Sequence, residues 1–186
     1  MSLRVQLDLD ADVDPRVGIT IPITTGAGRA PTPIAAFDLA LLAAGIGNLN
    51  LLPLSSVIPD GANVTTSAAS PRREWGDRLY VVIAERRETS AGVLAVAGLG
   101  WVQEPGHGRG LFVEVSGDDE AAVVRDLERS LGAMTAARPG HRFGDPQIVT
   151  RAIRCEDEPV CALVAASYAV EGWPTAHRAT DVASAR

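Results

Sequence analysis

Short stretches of alternating apolar and polar residues recur along this 186-residue chain, the pattern of half-buried strands. Residues 18–25 read as a first strand, running into a small-residue loop, Gly26-Ala27-Gly28-Arg29-Ala30-Pro31. A helix comes next: Thr32 suits its cap, Pro33 its first position, and Gly45 its stop after Ala44. The span between is apolar nearly all round apart from Asp38, so the helix is expected to be buried between a sheet and another layer or subunit. Residues 50–58 read as one strand, ended by the turn signal Pro59-Asp60-Gly61. Two longer strands, 78–88 and 92–102, are joined by a link short enough to predict a hairpin. A strand over 110–116 precedes a helix over 119–137, with Asp118 as its cap and acids in its first turn. Strands over 148–154 and 160–169 complete the pattern, and residues 171–186, polar and small, are expected to form a flexible tail.

Strands outnumber helices, and the two helices stand far apart in sequence. The expected fold is therefore α+β: a single-domain αββα-type sandwich, with helices outside antiparallel sheets. The length suits one domain with a sizeable core. Seventeen basic against twenty-three acidic residues leave a net charge of -6, which argues against a nucleic-acid partner. The N-terminus lacks the basic start and apolar core of a signal peptide, and the longest apolar run, interrupted by Asp38, is too short to span a bilayer. A soluble, cytoplasmic protein with no membrane partner is expected.

Candidate chemistry narrows quickly. The GAGRAP loop fails the dinucleotide fingerprint at Pro31 and lacks the GK[ST] of a P-loop, so a tight turn is the reading adopted. Cys155 and Cys161 have no histidine nearby to complete a metal set and read as reduced structural thiols. His107, His141 and His177 are scattered in polar loops, and no nucleophile elbow is present. Residues 38–59, DLALLAAGIGNLNLLPLSSVIP, are unusual. They put an acid in an apolar helix, then Asn48 and Asn50, then Ser55-Ser56 in an apolar strand. Taken singly, each has an ordinary explanation: a local hydrogen bond, a turn, a strand end.

Together with the preceding AFD, the run GIGNLNLLPLSS resembles the processing segment of the pyruvoyl-dependent arginine decarboxylases. That family cuts itself within a Ser-Ser pair. The resemblance continues through Gly98-Leu99-Gly100-Trp101-Val102 and through Leu111-Phe112-Val113-Glu114-Val115-Ser116, which resembles the strand bearing the family's catalytic glutamate. It covers roughly residues 19–117, and departs from the archaeal pattern at Pro53 and Asp60-Gly61.

The resemblance implies cleavage between Ser55 and Ser56, giving a small chain (1–55) and a large chain whose core is 56–170, with Ser56 becoming the pyruvoyl cofactor. A pyruvoyl ketone beside an amide carbonyl supplies the electron sink that amino-acid decarboxylation needs, without pyridoxal phosphate. The Ser56 hydroxyl would attack the Ser55 carbonyl, so the developing oxyanion needs support. Asn48 and Asn50 both carry amide donors just upstream, and the resemblance favours Asn50. Glu114, mid-strand among apolar residues, is the acid expected to return a proton to Cα. Asp38 is expected to face the guanidinium of an arginine substrate. Family members are homotrimers with sites between protomers, and the same is expected here. The alternatives are a decarboxylase of another cationic amino acid, a non-catalytic trimeric relative that binds a small molecule, and an unrelated α+β enzyme with an accidental serine pair.

Overall fold

Residues 18–66 and 74–173 are described by the computed structural model. The chain begins with strand β1 (Thr20–Arg29), followed by helix α1 (Pro33–Ala43). The expected loop at Gly26 to Arg29 does not exist: these residues belong to β1 and pair with β9 (Val160–Glu171). Packing gives the reason. A Cβ on Gly26 would stand 1.9 Å from the Ala40 carbonyl oxygen, and one on Gly28 2.2 Å from that of Ala36. The glycines let α1 lie directly on the strand. At its start, the Thr32 side chain accepts the Ala35 amide at 3.2 Å. At its end Gly45 takes φ +70, while its N–H and that of Ile46 donate to the carbonyls of Leu42 and Leu41. Those two bonds satisfy carbonyls that the last turn leaves open.

Strands β2 (Asn50–Pro53) and β3 (Val57–Ile58) replace the single strand expected over 50–58 and lie in different sheets. The turn at residues 59–61 is present, and β4 (Asn63–Thr65) comes after it, unforeseen. β5 (Arg78–Glu88) and β6 (Leu94–Gln103) do not form the expected hairpin, because they too lie in different sheets. β5 already has neighbours on both sides, β2 and β9, and β6 is flanked by β7 (Gly110–Gly117) and β8 (Gln147–Arg154). The link between them crosses from one sheet to the other, its start held by the Glu88 carboxylate accepting the amides of Thr89 and Ser90. Helix α2 (Glu120–Ala136) is capped by Asp119, not Asp118; Asp119 accepts the Ala122 amide at 2.6 Å.

The five-stranded sheet has the order β2-β5-β9-β1-β4 and the four-stranded sheet β3-β7-β6-β8. The larger sheet is mixed rather than antiparallel throughout, since β1–β4 and β2–β5 are parallel pairs. Ile21, Val82, Leu99, Phe112 and Val164 belong to a core drawn from both sheets. A second core joins α1 to the five-stranded sheet through Ala36, Ala40, Val81 and Leu163, and a third joins α2 to the four-stranded sheet through Val96, Val113, Leu127 and Leu131.

Within one protomer α1 is covered on one face only. Ile34, Leu39 and Leu42 are 61%, 43% and 46% exposed, and Asp38 is exposed with them. Ala36, Ala40 and Leu41 carry the packing on the sheet, while Ile34, Leu39 and Leu42 point away from it. Cys155 and Cys161 are buried and unbonded to each other; burial pushes the Cys161 thiol up to about 12. His107 and His141 are exposed, and His177 lies outside the described residues. β9 runs to Glu171, and the Trp173 indole donates to the Gly76 carbonyl at 2.9 Å. The remainder of the expected tail lies outside the described residues. Among the described residues no helix is long and apolar enough to cross a membrane.

Candidate active site at the sheet crossover

The Ser55-Ser56 pair lies not within a strand but in residues 54–56, which carry the chain from β2, at one edge of the five-stranded sheet, to β3, at one edge of the four-stranded sheet. Three backbone features shape this crossing. The Leu54 amide donates to the Val81 carbonyl at 2.9 Å, ending the run along β5. Ser56 then takes φ +62, a left-handed conformation that costs a residue with a Cβ about 1–2 kcal/mol. Its carbonyl accepts the Phe112 amide at 2.9 Å, which hands the chain to β7.

That twist aims the Ser56 hydroxyl at Glu114: Oγ donates to Oε1 at 2.6 Å. Glu114 reaches this place through the alternation of β7. Leu111 and Val113 face α2, whereas Phe112 points into the core between the sheets, and Glu114, two residues on, shares its side. The carboxylate is half-buried. A short bond from a hydroxyl to a carboxylate marks an acceptor able to orient the serine and take its proton.

Tyr168 of β9, which sequence reasoning did not single out, completes the cluster. Its hydroxyl donates to the Val57 carbonyl at 2.9 Å, and its ring meets Phe112 edge-on, centroids 6.2 Å apart. Burial, and after it the negative charge of Glu114, raises the phenol above its ordinary value, so it stays a donor at neutral pH. A lone tyrosine in an apolar strand carries no sequence signal for such a role.

The other expected site residues lie elsewhere in the protomer. Asn50 opens β2, its side-chain amide donating to the Gly76 carbonyl at 2.6 Å, three residues of strand from Pro53 and so about 10 Å short of the crossing. Asn48 adopts φ +64 and shapes the turn before β2. Asp38 sits on α1, on the face of the five-stranded sheet opposite the core that holds Glu114. Among the described residues no group of three or more histidine, cysteine or acidic side chains could hold a metal ion. A surface cavity of about 330 Å3 lies against β3 but is lined by neither Ser56 nor Glu114. Two of its lining side chains, Arg109 and His141, are already engaged by Glu104.

The family model described as pyruvoyl-dependent arginine decarboxylase matches residues 20–172, and so spans both sheets and the whole serine–glutamate site. The chain belongs to that family. Among proteins carrying the name pyruvoyl-dependent arginine decarboxylase, it is 32% identical to one from Halobacterium salinarum over 151 residues, 80% of this chain and 92% of the relative. It is 32% identical to one from Methanopyrus kandleri over 145 residues, 77% of this chain and 91% of the relative. With one from Pyrococcus horikoshii it shares 31% over 140 residues, 75% and 87% of the two chains. Within the matched span, the Ser56 hydroxyl is held by Glu114 and its carbonyl by the Phe112 amide.

Proposed function

We propose that this protein decarboxylates arginine to agmatine and carbon dioxide, using a pyruvoyl group made from its own Ser56. The observation that carries the reading is the 2.6 Å bond from the Ser56 hydroxyl to Glu114 at a left-handed backbone position. Glu114 draws the proton from Oγ as it attacks the Ser55 carbonyl. The Ser55–Ser56 peptide bond then gives way to an ester. Loss of the Ser56 α-proton and breakage of its Cβ–Oγ bond release Ser55 as a new carboxylate terminus. Hydrolysis expels the residue-56 nitrogen as ammonia. With that nitrogen gone, residue 56 has no φ, so the strained conformation exists only in the precursor. Strain that disappears on reaction favours the reaction.

The pyruvoyl ketone and its neighbouring amide carbonyl supply the electron sink for loss of carbon dioxide. The residue-56 carbonyl is the one that accepts the Phe112 amide, so charge developing on that oxygen meets a fixed donor. Glu114, a few ångströms away, changes role between the two stages: base toward the serine, then proton donor to the substrate Cα.

Within one protomer Asp38 and Asn50 do not reach this site, and a homotrimer with sites between protomers accounts for both. The uncovered apolar face of α1 suits a subunit contact, and Asp38 lies on that face. In that assembly a neighbour's Asp38 receives the substrate guanidinium, and Asn50 supports the Ser55 oxyanion. The fold is then an αββα sandwich built from two chains, cut between Ser55 and Ser56, with β1, α1 and β2 in the first and the other described elements in the second. The test is intact mass under denaturing conditions together with carbon dioxide release from labelled arginine. A fragment ending at Ser55 and a larger one with a blocked N-terminus are expected; a single full-length chain after prolonged incubation overturns the reading.

A further inference from the structure

We infer that Tyr168 is a positioning residue of the cut enzyme, holding the new chain end in register with Glu114 through the Val57 carbonyl. This rests on the proposed self-cleavage. Before the cut, the segment around Ser56 is anchored on both sides. Upstream, the Leu54 amide is tied to the Val81 carbonyl; downstream, the Ser56 carbonyl accepts the Phe112 amide. Cleavage after Ser55 removes the upstream anchor from residue 56. The new end leads straight into β3, two residues long and paired on one side only, Val57 with Leu111 and Ile58 with Gly110. An end held to one strand can rotate about that strand's hydrogen bonds.

Tyr168 supplies the second point. Successive carbonyls along an extended chain point to opposite sides. The Ser56 carbonyl turns to β7 in one sheet, and the Val57 carbonyl meets the Tyr168 hydroxyl, carried by β9 of the other. The two bonds grip adjacent peptide groups from different sheets, and so fix the rotation that one alone leaves free. The ring of Tyr168 packs edge-on against Phe112, the residue whose amide forms the other bond. Both grips are thereby set by the same contact.

Tyr168→Phe keeps that ring and removes only the donor. The expected result is cleavage to the wild-type extent, kcat per cleaved chain lowered about fivefold to tenfold, the value of one net hydrogen bond, and KM within twofold. Hydrogen exchange of a peptide covering residues 57–60 gives a readout apart from activity. Tyr168→Phe is expected to speed exchange there in the cleaved protein, and to leave it nearly unchanged in the uncut Ser56→Ala background, where the Leu54 anchor persists. Unchanged kcat and exchange, or cleavage lost in step with turnover, overturns the inference. An uncut wild-type chain would instead sink the functional reading beneath it.

Discussion

Ser56 and Glu114 stand 58 positions apart in sequence, yet the serine hydroxyl donates to the glutamate carboxylate across 2.6 Å. The bond joins a crossover between two sheets to the middle of a strand in one of them. It puts a serine hydroxyl in contact with a carboxylate able to take its proton.

Removing the hydroxyl removes the nucleophile. Ser56→Ala is expected to abolish both chain cleavage and carbon dioxide release, leaving one band on denaturing electrophoresis. Because alanine at φ +62 carries the same backbone strain as serine, the thermal midpoint of the variant should stay close to that of the uncut wild-type precursor.

Glu114→Gln keeps an oxygen that can accept from Ser56 but cannot carry a proton to substrate. Cleavage should still occur, more slowly, while turnover falls about 10²–10⁴-fold, the range general acid–base groups contribute. Steady-state rates normalised to cleaved chain separate the two stages, and turnover equal to wild type would remove Glu114 from its assigned role.

Asp38 is exposed on α1 and packs against nothing in its own protomer's core. Asp38→Asn should therefore leave stability and cleavage intact and raise KM for arginine about tenfold or more, the loss of a charge-assisted contact. A KM that does not move would assign substrate recognition elsewhere.

Glu104 should contribute to acid sensitivity, as should Glu88, whose carboxyl is lowered by the Ser90 amide and Arg86. The Arg109 side chain beside Glu104, followed by His141 and the Arg142 amide, holds its carboxyl at about 2 against an ordinary 4.5. A carboxylate whose folded value is depressed stabilises the fold above its unfolded value and loses that contribution as pH falls from about 4.5 toward 2. Thermal midpoints measured across that interval should drop more steeply for wild type than for Glu104→Gln.

Gly26 offers a test of the packing. Gly26→Ala drives a methyl group into the Ala40 backbone oxygen, which cannot retreat without lifting α1 from β1. A loss of about 1–3 kcal/mol in denaturant titrations is expected; an unchanged midpoint would mean that the helix is not seated directly on that strand.

The sequence read well where a local signal decides the outcome. Thr32, Pro33 and Gly45 mark the ends of α1, and apolar runs bounded by polar or glycine-containing links mark β5, β6, β7 and β9. The serine–glutamate pair came from the resemblance of its two flanking segments. It read poorly where the partner strand decides. Nothing local in residues 50–58 shows that the chain leaves one sheet for another. Nothing between β5 and β6 distinguishes a hairpin from a crossing, since both need a short polar link. Gly26 and Gly28 have the composition of a turn, and only the helix above them explains their smallness. Asp38 and Asn50 are equally beyond local reach, because one protomer does not bring them to Ser56.

The position of the crossover changes what holds this molecule together. β1, α1 and β2 all precede Ser55, while every other described element lies beyond it. Yet β1 runs between β9 and β4, and β2 pairs with β5. A severed small chain is therefore threaded through the sheet of the large one and cannot leave without dismantling it. The proposed cleavage thus turns an intramolecular fold into an assembly of two chains. Once denatured, it must regain its structure by a second-order encounter of two chains, so its recovery, unlike that of the uncut precursor, will depend on protein concentration.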